Sequence, residues 1–216
     1  MYETLFDEIS SFRAKLAAVS KTRPPEDILA LYHKGQRLFA ENKVQELLLK
    51  AEALPKDIEW HFIGHLQKNK VRQIAPFIAA IESVDSLDLL AEIHKQAAKY
   101  GRVIPCLLEF HIAREESKFG LDLETAEILL GSETFASLTH VCISGVMGMA
   151  TFTDDREQVR REFQQLKAIF DHLKNAFFAH DPGFCEISMG MSSDYRIALE
   201  EGSTLVRIGT LLFGAR

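Results

Sequence analysis

The sequence predicts a (β/α)8 barrel of parallel strands with one extra helix in front of it. Eight short apolar segments rich in Val, Ile, Leu and Phe recur roughly every twenty to thirty residues, and such segments are typical of parallel strands buried on both faces. Segments with helical periodicity lie between them. Eight such β–α units favour a closed barrel, and an open doubly wound sheet is the main alternative.

The first predicted element is an amphipathic helix over residues 3–14, because Leu5, Ile9 and Phe12 recur there at helical spacing. Further helices are predicted at PPEDILALYHK (24–34), KVQELLLKAEAL (43–54), SLDLLAEIHKQAAKYG (86–101) and DDREQVRREFQQLKAIFDHLK (154–174). Prolines suit the start of the first of these, and a glycine suits the end of the third. The predicted strands are LAAVS (16–20), RLFAEN (37–42), EWHFIG (59–64), AAIESV (79–84), IPCLLEFHI (104–112), THVCISGVM (139–147), FCEISM (184–189) and TLVRIGT (204–210).

Composition and charge place the chain among globular domains with one sizeable core. It has 216 residues, of which 47% are hydrophobic and 26% charged, and its formal net charge is −6. No linker rich in glycine, serine or proline divides it, so we expect a single domain over residues 1–216. Because it has neither a basic stripe nor a polybasic amphipathic segment, nucleic acid and membranes are not expected partners.

The N-terminal segment and the cysteines favour a cytoplasmic location. Charges interrupt the segment MYETLFDEISSFRAKL, so it does not have the pattern of a signal peptide. Cys106, Cys142 and Cys185 are far apart and lack the CxxC spacing of a zinc site. Since each lies in an apolar run, we expect buried, reduced thiols.

Residues at the carboxyl ends of the predicted strands are the candidate functional residues, because the active sites of such barrels are built there. The seventh strand leads through SMGMSSD (188–194) into a helical segment, and the eighth ends in RIGT (207–210). Glycines permit close approach of a ligand, and the serines and aspartate suit a helix start that attracts an anion. Together the two turns predict a phosphate site; two ordinary turns are the alternative.

Lys21 and Arg207 have two interpretations each. Lys21 follows the first strand. It is either an ordinary structural or exposed lysine, or an amine that acts on a ligand by pairing with its phosphate or by forming a Schiff base with its carbonyl group. Arg207 interrupts the apolar run LVRI, and a buried guanidinium needs an acceptor. That acceptor is either Glu109 of the fifth strand or a ring nitrogen or phosphate of a ligand.

Two further patterns carry less information. His61 and His65 are four residues apart, but Gly64 and the strand-like flank spoil the geometry of a metal site and no third ligand is evident. We therefore expect no metal. The segment EESKFG (115–120) is either a charged loop or a mobile lid over the site.

Six motifs follow one another between about Leu16 and Arg216: AVSKTRP, AEN-VQE with Lys43 in the gap, WHFIGHLQKNK, ESKFG, SMGMSSD and GSTLVRIGTLLFGAR. In these motifs and their order the sequence resembles the YggS/PROSC family of pyridoxal phosphate homeostasis proteins. The resemblance implies a barrel similar to the N-terminal domain of bacterial alanine racemase. Two residues depart from the family's usual pattern at the pocket rim: Lys43, where an aromatic residue is frequent, and His65, where proline is frequent.

The resemblance also implies a cofactor and a set of residues that hold it. The cofactor is pyridoxal 5′-phosphate (PLP), and Lys21 forms its Schiff base. The other implied residues are Asn42 near the cofactor, Ser192, Gly209 and Thr210 at its phosphate, Arg207 facing the pyridine nitrogen, and His61, Ser83 and Met189 in the pocket lining.

Two features predict a binding protein rather than an enzyme. The related racemases take a second catalytic base, a tyrosine, from an added β-domain; the given sequence ends at Arg216, and we expect no such domain. Only Tyr195 among the tyrosines follows a functional strand end, and it falls at a helix start. In addition, a cationic Arg207 disfavours protonation of the ring nitrogen and so weakens the cofactor as an electron sink.

We therefore expect a monomeric protein that holds PLP reversibly on Lys21 as a buffer and carrier in vitamin B6 homeostasis. PLP-dependent apo-enzymes are the expected recipients. One alternative is a PLP-dependent amino-acid racemase or lyase of low activity. Another is a phosphosugar aldolase in which Lys21 is the Schiff-base lysine.

Overall fold

The strands of the molecule close into a barrel in chain order. A computed structural model describes residues 2–114 and 120–214. Within them eight parallel strands each pair with the next, and the last pairs back to the first, which confirms the predicted barrel. The strands are β1 (Lys15–Val19), β2 (Leu38–Glu41), β3 (Glu59–Phe62), β4 (Ala80–Val84), β5 (Ile104–Phe110), β6 (Val141–Gly148), β7 (Glu186–Ser188) and β8 (Leu205–Ile208).

Helices connect the strands around the outside of the barrel. Side chains of Ser86, Asp122 and Asp155 cap three of them by accepting hydrogen bonds from backbone N–H groups of the first turn. Within the described ranges no helix is both long and apolar enough to span a membrane. The helices are α1 (Tyr2–Ser11), α2 (Pro25–Tyr32), α3 (Val44–Ala53), α4 (Lys68–Ile74), α5 (Leu87–Ala98), α6 (Leu123–Leu130), α7 (Glu133–Ala136), α8 (Arg156–Ala176), α9 (Tyr195–Glu200) and α10 (Thr210–Phe213).

The extra N-terminal helix, α1, is present but shorter than predicted. Leu5 and Ile9 are buried as expected, whereas Phe12 lies beyond the helix and is 49% exposed. The helix ends because Arg13 adopts a positive φ of +60°, which turns the chain into β1.

The prediction of three buried thiols holds only for Cys106. Cys142 and Cys185 are free and exposed. Cys142 is the second residue of β6 and lies between buried Val141 and Ile143; because side chains alternate along a strand, it points to the other face. Cys185 precedes the first residue of β7 and is not covered.

One sequence-based alternative lies outside the described part of the chain. The segment EESKFG, predicted as a charged loop or a lid, is described only at Gly120.

The packing of α1 yields a test of the fold. Ile9 is 1% exposed, so Ile9→Ala should leave a cavity and lower the free energy of unfolding by about 2–4 kcal/mol. Phe12→Ala should change it by less than ~1 kcal/mol, because half of that side chain is already in water. Urea denaturation measures both, and equal effects of the two substitutions would contradict the docking of α1.

Candidate functional site

A cavity of about 850 Å³ opens at the carboxyl ends of the strands. Six of the nine residues implied for cofactor binding line it, namely Lys21, Asn42, Ser192, Arg207, Gly209 and Thr210. They come from the exits of β1, β2, β7 and β8, which chain closure brings side by side. The barrel therefore brings the candidate amine and the candidate phosphate-binding residues to one cavity.

Lys21 lies two residues beyond the end of β1. In the described parts of the chain its side chain makes no hydrogen bond or ion pair, and it is partly buried in the cavity lining. The neighbouring Arg23 also lines the cavity, and its guanidinium is held by the Gly214 carbonyl oxygen and lies 5.6 Å from the centre of the Phe213 ring. The amine of Lys21 is thus available to a ligand, whereas the cation beside it already has partners.

The exits of β2 and β3 approach each other closely at Gly64. A β-carbon at this position would overlap the backbone carbonyl of Asn42. Only glycine permits this approach, and it brings Asn42 and Gly64 together at the cavity wall.

A hydroxyl joins the two turns that the sequence predicts as a phosphate site. Ser192 Oγ accepts long hydrogen bonds from the backbone N–H groups of Gly209 at 3.3 Å and Leu211 at 3.5 Å. Gly190 has a φ of +96° and turns the chain after β7. Its carbonyl oxygen then accepts a hydrogen bond from the backbone N–H of Arg207 at 2.9 Å. Ser192 thus holds the backbone N–H groups that begin α10 at long distance, and these are the type of donor that binds an anion.

Asp194 does not make the predicted helix cap. It precedes α9, but its side chain makes no cap hydrogen bond to that helix. Its Oδ1 instead accepts the Met191 N–H at 2.6 Å, within the loop. Burial raises the pKa of the Asp194 carboxyl, although the Met191 N–H acts in the opposite direction.

Arg207 lies inside the barrel and is 4% exposed. Its Nη1 donates to Ser188 Oγ at 2.5 Å, and its Nη2 donates to the Gly148 carbonyl oxygen at 2.9 Å. The nearest carboxylate is that of Glu82, with Oε2 3.8 Å from Nη1. The ion pair considered for Arg207 therefore exists, but its partner is Glu82 of β4 and not Glu109, and the guanidinium still borders the cavity.

Glu82 is completely buried and fully hydrogen-bonded. Its Oε1 is 2.6 Å from His61 Nδ1, and its Oε2 accepts from Ser188 Oγ at 2.5 Å. Burial alone would raise the pKa of Glu82, but the hydrogen bond and charge of His61 and the charge of Arg207 hold it below its ordinary value. His61, Glu82, Ser188 and Arg207 thus form a polar layer within the barrel.

The other three residues implied for the pocket, His61, Ser83 and Met189, are not among the residues that line the cavity, and their contact with a ligand stays a prediction. His61 belongs to the polar layer. Ser83 follows Glu82 in β4 and points to the opposite face of that strand, and Met189 lies directly after β7. Ser83 Oγ donates to the Gly64 carbonyl oxygen at 2.5 Å, while Met189 is 0% exposed in the core.

Glu109 is a cavity residue that the sequence analysis considered only as a partner for Arg207. It is 4% exposed and is the single carboxylate among the described residues that line the cavity. No hydrogen bond to its carboxyl occurs in the described ranges. Burial, and to a lesser degree the charge of Asp85, raises its pKa to about 7 against the opposing charge of Arg207. The sequence does contain a signal for this residue, because Glu109 is a charged residue within the apolar run CLLEFHI (106–112).

The raised pKa of Glu109 predicts a pH-dependent stability difference. The folded protein holds the Glu109 proton more tightly than the unfolded chain, so the wild type loses stability as pH rises from about 4.5 to about 7. Glu109→Gln removes this loss. The free energy of unfolding of the variant minus that of the wild type should therefore be larger at pH 8 than at pH 5, by up to ~3 kcal/mol. Urea unfolding at both pH values measures it, and a pH-independent difference would contradict the assignment.

Comparison with known proteins agrees with this geometry. The chain matches the family of the alanine racemase N-terminal domain over residues 3–216. The pyridoxal phosphate homeostasis protein of Aquifex aeolicus (strain VF5) is 42% identical over 204 residues, which are 94% of this chain and 87% of that protein. The structure of PipY of Synechococcus elongatus PCC7942 with PLP bound has a TM-score of 0.85 at 33% identity, covering 98% of this chain and 99% of that one.

A more distant structure shares the fold alone. Alanine racemase of Clostridium difficile 630 has a TM-score of 0.72 at 14% identity, and the match covers 99% of this chain and 55% of the racemase. The identities above 30% over nearly the whole length are decisive for the assignment. This chain therefore belongs to the family of the alanine racemase N-terminal domain and, within it, to the pyridoxal phosphate homeostasis proteins.

Proposed function

We propose that this protein binds PLP in the cavity at the carboxyl ends of the strands, with Lys21 as the Schiff-base lysine. It acts as a buffer and carrier of PLP in the cytoplasm and has no catalytic activity of its own. The observation that carries the proposal is the convergence of Lys21, Arg207 and the Ser192–Gly209–Thr210 group on one cavity.

The chemistry of the cavity lining fits the cofactor. The hydroxyls of Ser192 and Thr210 are donors for the phosphate, and the Gly209 N–H can exchange its long bond to Ser192 Oγ for one to the phosphate. Lys21 supplies an amine for the aldehyde, and Arg207 supplies a cationic donor for the pyridine nitrogen. The volume of about 850 Å³ falls in the range of roughly 300–1,000 Å³ that is usual for small-molecule sites. When bound, PLP supplies an aldehyde that reacts reversibly with amines and a ring that withdraws electrons.

Two similar proteins also support PLP as the ligand. The protein of Aquifex aeolicus carries the name of a pyridoxal phosphate homeostasis protein, and PipY was solved with PLP bound. Both similarities extend over more than nine-tenths of this chain.

Binding without turnover is supported by the polar layer and by the tyrosines. Glu82 pairs with Arg207, and a cation facing the ring nitrogen disfavours the protonated ring that carbanion chemistry uses. Tyr195 lies at the start of α9, where its hydroxyl donates to Glu8 Oε2 at 3.0 Å. None of the tyrosines, which all fall within the described ranges, lines the cavity.

A racemase or lyase of low activity is the second candidate, because Glu109 lines the cavity. A carboxyl whose pKa is about 7 is suited to proton transfer near neutral pH. The open mouth of the cavity, which leaves Lys21 partly exposed, favours exchange of the cofactor instead.

We propose that a monomer delivers PLP to apo-enzymes that require it.

The visible absorption spectrum with added PLP tests the proposal. The wild type should develop a yellow imine band that Lys21→Ala lacks, and neither protein should form product from a panel of amino acids. Lys95→Ala, which removes an exposed lysine of α5 that pairs with Glu92 and lies outside the cavity lining, is the matched control and should keep the band.

Each other outcome of this experiment has a definite meaning. A band that survives in Lys21→Ala assigns the Schiff base to another lysine. Product formed by the wild type favours the enzyme. Absence of a band in the wild type contradicts PLP as the covalent ligand and makes the phosphosugar aldolase the better candidate.

A further inference from the structure

The backbone around Lys21 has an unusual conformation. Ser20 to Arg23 form a tight turn in which the Arg23 N–H donates to the Ser20 carbonyl oxygen at 3.0 Å. Thr22 occupies the third position of this turn with φ of +64°. Such turns usually carry glycine there, and a β-branched residue rarely adopts this left-handed conformation. Interactions from outside the turn must therefore stabilise it.

Two side chains of α3 supply those interactions. Glu46 Oε2 accepts the Thr22 N–H at 2.8 Å, and Lys50 Nζ donates to the Ser20 carbonyl oxygen at 2.8 Å. These two backbone groups belong to the two peptide bonds that flank the Lys21 α-carbon. Glu46 and Lys50 are one helical turn apart, with Oε2 and Nζ separated by 3.6 Å. One face of α3 thus binds the chain on both sides of Lys21.

Lys50 is itself held rigidly. The residue is 6% exposed, and its Nζ also donates to Glu41 Oε1 at 2.6 Å. Glu41 is completely buried and accepts a second hydrogen bond from Ser20 Oγ at 2.7 Å. Desolvation makes a buried ion pair a poor source of net stability, so its use here is to fix the geometry of the turn.

We propose that Glu46 and Lys50 are positioning residues for Lys21, which hold the turn in the conformation that presents the Lys21 amine to the cavity. The inference rests on the proposed role of Lys21 as the Schiff-base lysine. Without the Glu46 hydrogen bond Thr22 would relax toward negative φ, and the amine would less often lie where it can attack an aldehyde. The phosphate and ring contacts come from Ser192, Gly209, Thr210 and Arg207, which are not residues of this turn.

Glu46→Ala tests the proposal in the full-length protein with two ligands. One is PLP, followed by its imine band, and the other is pyridoxine 5′-phosphate, which carries an alcohol in place of the aldehyde and is followed by calorimetry. Glu46→Ala should weaken formation of the imine by roughly tenfold, which is the effect expected when a strained residue is released. Binding of pyridoxine 5′-phosphate should change by less than about twofold, since its contacts do not involve the turn.

Conservative and distant variants serve as controls. Glu46→Gln keeps an oxygen that accepts the Thr22 N–H and should restore imine formation to near the wild-type level. Asp171→Ala removes the exposed pair that Asp171 makes with Lys167 on α8 and should leave both ligands unaffected. Wild-type imine formation in Glu46→Ala, or an equal loss of both ligands, would overturn the proposal.

Thr22→Gly provides an independent test. Glycine adopts a positive φ without strain, so the effect of Glu46→Ala on imine formation should shrink to less than about threefold in the Thr22→Gly background. An unchanged effect would overturn the role of the turn. Failure of the proposed function has a different signature: the wild type forms no imine, or Lys21→Ala still forms one.

Discussion

A carboxylate enclosed in the centre of a barrel must find its hydrogen-bond donors within that barrel. Glu82 is 0% exposed, and an unpaired charge at such a position would cost several kcal/mol. His61 and Ser188 satisfy its oxygens, and Arg207 supplies the compensating charge. Because the same Ser188 accepts from Arg207, meeting the requirements of Glu82 also fixes the guanidinium beneath the cavity. The floor of the site is therefore built by the barrel itself.

The rim of the site obeys a different constraint. Its residues lie in turns beyond the strands, where backbone conformation and not strand pairing decides their positions. Gly64 allows the close approach to Asn42, Ser192 links the turns after β7 and β8, and two side chains of α3 hold the turn that contains Lys21. The polar layer and the turn with Lys21 are thus supported by different parts of the chain. Under the proposed function, the first would orient the ligand and the second would present the amine.

The strand positions were predictable because buried parallel strands leave a strong apolar signal. Each of the eight predicted segments contains an observed strand or nearly all of it. Lys21, Ser192 and Arg207 became candidates for the same reason, since they lie within those segments or shortly after them. Of the two residues that depart from the family's usual pattern, His65 lines the cavity and Lys43 does not.

Contacts between distant elements were not predictable. Glu109 was a possible partner of Arg207, but the carboxylate beside the guanidinium is that of Glu82. Which of the two lies there depends on how far along the barrel axis each strand places its residues. Likewise, Lys50 within KVQELLLKAEAL has the appearance of an ordinary helix-surface lysine, although it is buried. His61, Ser83 and Met189 were implied for the pocket by the resemblance alone; they do not line the cavity in this structure, and their contact with a ligand stays a prediction.

The central claim is that one amine, that of Lys21, holds PLP. Borohydride reduction of the PLP-loaded protein, followed by peptide mass spectrometry, tests this most directly because reduction makes the Schiff base permanent. The account predicts that the cofactor is found on the peptide that contains Lys21, at a stoichiometry near one per chain. Modification mainly at another lysine, or at none, would contradict it.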